Sequence, residues 1–95
     1  MIEAFNQTTV DICTVLDDTK QMLLEKNLKY GDNAVNPVRI FSRSSPIEQI
    51  LVRIDDKLSR LSRGAGFEEV EEDAISDLIG YLVLLKVARL SESRK

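Results

Sequence analysis

Apolar residues recur at helical spacing in three separate stretches of this chain, and Gly31 and Gly64-Ala65-Gly66 stand between them. No alternating apolar and polar run is long enough for a strand, so the pattern predicts an all-α fold. The first helix is predicted over about 8–30, where Thr8 and Asp11 have capping-box spacing and Gly31 can adopt the left-handed cap. The second, about 46–63, has the clearest start: Ser45 as N-cap, Pro46 at the first helical position and Glu48 three residues after the cap. The third, about 68–90, opens in the acid-rich stretch Glu68 to Asp73, where negative charge complements the helix dipole.

Between the first two helices, residues 32–44 hold Val35, Val38, Ile40 and Phe41 among Asn and Pro. That is too apolar for a floppy linker and predicts a structured loop packed over the helices. Residues 91–95 are expected to fray. The chain of 95 residues reads as one domain, a three-helix antiparallel bundle. Its third helix is apolar on most of its circumference from Leu78 to Val87, more than a three-helix protomer can cover. A homo-oligomer, a dimer or a dimer of dimers, is therefore expected.

The residue inventory removes much chemistry. The chain has no histidine and one cysteine, Cys13, which excludes disulfides within the chain, zinc sites of the usual Cys/His kind, and Ser-His or Cys-His nucleophiles. Catalysis would fall to carboxylates, lysines and a hard metal. No basic-then-apolar leader or membrane-spanning run is present, so a cytoplasmic protein without a membrane partner is expected. The net charge of −3 argues against nucleic-acid binding. Yet the middle is locally cationic: Arg39, Arg43, Arg53, Lys57, Arg60 and Arg63 outnumber the acids of residues 38–64. A small phosphorylated ligand suits that stretch, although a solvated helix face has the same look.

Three positions sit oddly against the apolar stripes. Lys26 falls within the apolar face made by Ile12, Val15, Leu16, Thr19, Met22, Leu23 and Tyr30. An ammonium there must snorkel to water or meet an anion, because an unpaired buried charge is costly. Asp55 borders the buried stripe of the second helix between Leu51 and Leu58, whereas Asp56 points away from the core. Asp77 lies beside the core face of the third helix, one turn after Asp73. Its partner is either a Lys or Arg of another helix, in a structural ion pair, or a divalent cation held by Asp55, Asp73 and Asp77, an all-oxygen set suited to Mg²⁺ or Mn²⁺.

The segments EKNLKYGDNAVNPVRIFS, RIDDKLSRL and EDAISDLIGYLVLL together resemble the nucleotide modification associated domain, a small family frequent in bacteriophage genomes. That family is similar in layout to the all-α nucleoside triphosphate pyrophosphatases of the MazG and dimeric dUTPase type. The resemblance covers residues 20 to 90 and rests most on Lys26 with Tyr30-Gly31, Arg53 with Asp56-Lys57, and Asp73 with Asp77 to Tyr81. It implies a MazG-like helical bundle of like subunits that binds a nucleoside triphosphate through Mg²⁺. In the pyrophosphatase branch it implies hydrolysis to monophosphate and pyrophosphate in phage nucleotide metabolism.

On that reading Asp73, Asp77 and Asp55 or Asp56 are the metal-binding and catalytic carboxylates. Lys26, Arg53 and Lys57 face the phosphates, and Tyr30 and Tyr81 face base or sugar. The chain departs from the pyrophosphatase pattern of Glu-x-x-Glu and Glu-x-x-Asp: Leu51 stands three residues after Glu48, and Ala74 three before Asp77. Two further readings stand beside hydrolysis, a noncatalytic nucleotide-binding module and a structural helical oligomer with a buried ion pair.

Overall fold

The structure, a computed structural model, describes residues 6–63 and 72–95. The described residues form three helices: α1 (Gln7–Lys29), α2 (Pro46–Arg63) and α3 (Glu72–Ser93). The predicted break at Gly64-Ala65-Gly66, and Val70 with the acid-rich stretch ahead of Glu72, lie outside the described residues. Among the described residues there is no strand, as the missing alternation predicted.

The helix ends follow local chemistry. Asn6 rather than Thr8 caps α1, its Oδ1 accepting from the Thr9 amide at 2.8 Å, so the helix begins one residue before the predicted start. Asn and Thr are both capping residues, and Asn is the stronger. Ser45 caps α2 as predicted, its Oγ accepting from the Glu48 amide at 3.0 Å. The α1 C-terminus closes in a Schellman turn, with the Asp32 amide donating to the Asn27 carbonyl at 3.1 Å and Gly31 at φ +62°. α3 runs through Ser93, past the predicted end near Leu90.

α2 and α3 carry the core. Ile50, Ile54 and Ala88 are buried together, and Ile47, Leu51, Leu78, Tyr81, Leu84 and Leu85 pack around them. Ile50 packs with Ala88 of α3 while Lys57, about two turns on, meets Asp77, about three turns back, so the two helices are antiparallel. The predicted α2 stripe is thus in place, except that Leu58 is 45% exposed.

The expected three-helix bundle is only partly realised. α1 buries no residue and touches α3 far less than α2 does. Contact is made in its C-terminal half, where Met22 and Leu23 approach Gly80 so closely that a Cβ there would lie 3.3 Å from Met22 Cε. A methyl group at position 80 would need the ends of those two side chains to shift by a small amount. Farther toward the N-terminus the predicted apolar face is open, with Ile12 55% and Leu16 59% exposed. The radius of gyration of 15.9 Å exceeds the roughly 13 Å of a compact chain of about this length. Periodicity assigned α1 an apolar face, but this protomer offers that face too few neighbours.

The loop divides in two. Residues 31–36 fold on themselves: Asp32, at φ 65°, accepts from the Val35 and Asn36 amides and from Asn36 Nδ2 at 2.8 Å. Val35 then packs on the core. The expected packing stops there, since Val38 and Ile40 are largely exposed and Phe41 is 97% exposed. No helix among the described residues is long and apolar enough to cross a membrane.

Candidate functional site

A cleft of about 420 Å³ opens where α1, the α1–α2 loop, α2 and α3 converge. Each wall follows from the spacing of its element. On α1 the positions 22, 23, 26, 27 and 30 fall on one side, so Met22 and Leu23 form the floor while Lys26, Asn27 and Tyr30 rise to the rim. The Schellman turn folds Asn33 and Ala34 back over that rim. α2 contributes Gln49, Ile50 and Arg53, one helical side, and α3 contributes Asp77, Gly80, Tyr81 and Leu84. The bare Gly80 lets α1 come close and keeps the floor open.

Among the described residues, the charges lining the cleft are two cations, Lys26 and Arg53, and one anion, Asp77. Asp77 Oδ2 lies 3.1 Å from Lys57 Nζ, with the side chains 33% and 17% exposed. Asp77 is therefore neutralised across the α2–α3 contact. Lys26 and Arg53 form no ion pair with any carboxylate of the described residues. Both are exposed to solvent at the rim, so neither carries a burial cost. The lysine within the apolar stripe thus snorkels to the mouth of a cleft.

Tyr30 is 59% exposed, and Lys29 Nζ lies over its ring, 5.5 Å from the centre. Tyr81 is half-buried and belongs to the core cluster while it also lines the cleft. Three amides that the sequence reading did not single out, Asn27, Asn33 and Gln49, add polar groups to the rim. Gln49 donates from Nε2 to the Ser44 carbonyl at 3.2 Å, and Asn33 Oδ1 accepts from the Val38 amide at 3.3 Å. Each retains capacity for a further hydrogen bond. Asn27 follows Lys26 on the same helical side, a signal available in the sequence; the placement of Asn33 and Gln49 depends on the turn and the α2 docking.

Of the nine predicted site residues, Lys26, Tyr30, Arg53, Asp77 and Tyr81 meet in this cleft, and Lys57 reaches it through Asp77. Asp55, Asp56 and Asp73 do not line it and are exposed. The reason is angular. Asp55 and Lys57 are two residues apart on α2, about 200° round the helix. When Lys57 turns to Asp77, Asp55 turns away.

Among the described residues no three Asp, Glu or Cys side chains gather as metal ligands. The proposed set of Asp55, Asp73 and Asp77 does not fit Mg²⁺ or Mn²⁺, which need several oxygens around one point. Comparison with known proteins adds nothing to this geometry: no protein family, no curated protein and no solved structure matches the chain.

Proposed function

We propose that this chain is a nucleotide-binding protein whose cleft receives the phosphates on Lys26 and Arg53. The observation that carries the reading is the pair itself: two cations from different helices at one mouth, with Asp77, the only carboxylate lining the cleft among the described residues, already paired to Lys57. An anion entering there meets net positive charge at short range. The cleft volume of about 420 Å³ falls in the range of small-molecule sites, roughly 300–1,000 Å³. Its floor of Met22, Leu23, Ile50 and Leu84 and its two tyrosines suit a ligand with one flat apolar part. A phosphate group joined to a nucleoside has both characters.

Binding without turnover is the form of this reading that the described side chains support best. Mg²⁺-dependent hydrolysis of the pyrophosphatase kind needs converging carboxylates, and Asp55, Asp56 and Asp73 stand apart from Asp77. The protein acts as a homo-oligomer in this proposal, because α1 has no buried residue in the single chain.

Calorimetric titration with a panel of ribo- and deoxynucleoside triphosphates, with and without Mg²⁺, tests the ligand. Chromatography of the same mixtures tests the chemistry. Saturable binding with the triphosphate recovered unchanged is expected. Absence of binding across the panel overturns the proposal, and release of monophosphate with pyrophosphate replaces it with hydrolysis.

A further inference from the structure

Two helical faces of this chain are apolar, uncovered and opposite in charge. The first belongs to the N-terminal part of α1, where Ile12, Val15 and Leu16 are each more than half exposed. Along one edge of that stripe Asp11, Asp18 and Glu25 recur at seven-residue intervals, so the acids stay in line with the stripe over its whole length. The second lies on α3. Leu82 and Leu90 are 46% and 55% exposed, with Val83 between them. Lys86 and Arg89 stand among them, both exposed. Residues 7–25 hold four acids against Lys20, and residues 82–95 hold four bases against Glu92. The two segments have net charges of −3 and +3.

We propose that α1 of one copy docks on this outer face of α3 in a second copy, Asp11 and Asp18 facing Lys86 and Arg89. The inference rests on the self-association stated above and names the surfaces that achieve it. One chain cannot satisfy both faces by itself. Its α1 is held against Gly80 by Met22 and Leu23, and Leu82, two residues from Gly80, points about 200° away from that contact. A second copy has no such restriction. The arrangement is reciprocal, since each α1 covers the partner's α3, so it closes as a two-fold dimer. Apolar burial supplies the affinity, and the charge pattern sets the register and rejects α1 against α1.

Sedimentation velocity on the full chain and two surface variants decides the matter. The wild type is expected at 21.4 kDa, twice 10.7 kDa, at micromolar concentration. Asp11→Lys with Asp18→Lys is expected to raise the dissociation constant about tenfold or more through like-charge contact with Lys86 and Arg89. Lys86→Glu with Arg89→Glu is expected to do the same. Mixing the two variants in equal amounts restores one of the two α1–α3 contacts to full complementarity and reverses both charges in the other, so a heterodimer re-forms. Circular dichroism of each variant alone reports whether its helices remain.

A monomeric wild type overturns both the pairing and the self-association. A wild-type oligomer that neither charge reversal weakens overturns the pairing alone. Variants that dissociate separately and stay monomeric when mixed also overturn the pairing, because the charges then do not face one another.

Discussion

Lys57 of α2 and Asp77 of α3 meet at 3.1 Å across the antiparallel helix pair, beside the cleft but not open to it on both sides. Among the described residues this contact supports the structural one of two roles for Asp77. A carboxylate bonded to a lysine of the neighbouring helix is a structural anion, and it leaves the cleft's free charge to Lys26 and Arg53. Asp77→Asn is expected to lower stability by about 1–2 kcal/mol, between an exposed pair and a buried one. Lys57→Met should cost less than Asp77→Asn, since Lys57 is the more buried partner and the costlier to leave unpaired. Urea unfolding of the two single variants and the double variant measures this. A double variant less stable than the wild type by the full sum of the two single losses would show that the two groups do not interact.

Gly31 and Gly80 predict opposite responses to alanine. Gly31 has φ +62° and open space around it, so Gly31→Ala meets only the left-handed backbone penalty, about 1 kcal/mol. Gly80 is helical, and alanine there gains about 1 kcal/mol of helix propensity. It also meets the ends of Met22 and Leu23 at 3.3 and 3.4 Å, flexible groups that shift at small cost. Thermal melting should show Gly31→Ala lower by about 4–8 °C and Gly80→Ala unchanged or higher. A destabilised Gly80→Ala would mean that the α1–α3 contact is more rigid than these side chains suggest.

The α2 start was legible because every signal lies within four residues: Ser45, Pro46 and Glu48 act locally, and the cap forms as their order predicts. The three helices were legible for the same reason. The covering of α1 was not. Spacing marks Ile12, Val15 and Leu16 as one face but does not say whose surface meets it, and in the single chain each stays more than half exposed. The partner of Asp77 was open between a metal and a basic residue because that choice depends on how α2 is rotated against α3. Once Ile50 and Ile54 define the buried side, Lys57 follows it and Asp55 does not. The cleft residues Lys26, Tyr30 and Arg53 were identifiable as unusual positions, while their convergence needed the loop and the docking of α1 and α2 on α3.

Phe41 makes a simpler prediction. A side chain 97% exposed has almost no protomer packing to lose, so Phe41→Ser should alter the unfolding free energy by less than about 0.5 kcal/mol. Equilibrium unfolding at a concentration low enough to keep the chain monomeric is the proper measurement. A loss above about 1 kcal/mol there would place Phe41 against the core rather than in solvent.

Lys26 gives the most direct test of the cleft. It is exposed and forms no ion pair with the described carboxylates, so Lys26→Met without ligand should leave stability within about 0.5 kcal/mol. With nucleotide the two proteins should diverge. A ligand at a hundred times its dissociation constant stabilises the wild type by about 2.7 kcal/mol. A charge-assisted phosphate contact contributes about 1.5–3 kcal/mol, so its removal weakens binding by about tenfold or more. At the same ligand concentration the variant then gains about 1.4 kcal/mol at most, half the wild-type increment. Thermal melting of both proteins over a nucleoside triphosphate titration reads this difference directly. Equal ligand-induced shifts would remove Lys26 from the binding site, and a ligand shift in neither protein would remove the nucleotide from the cleft.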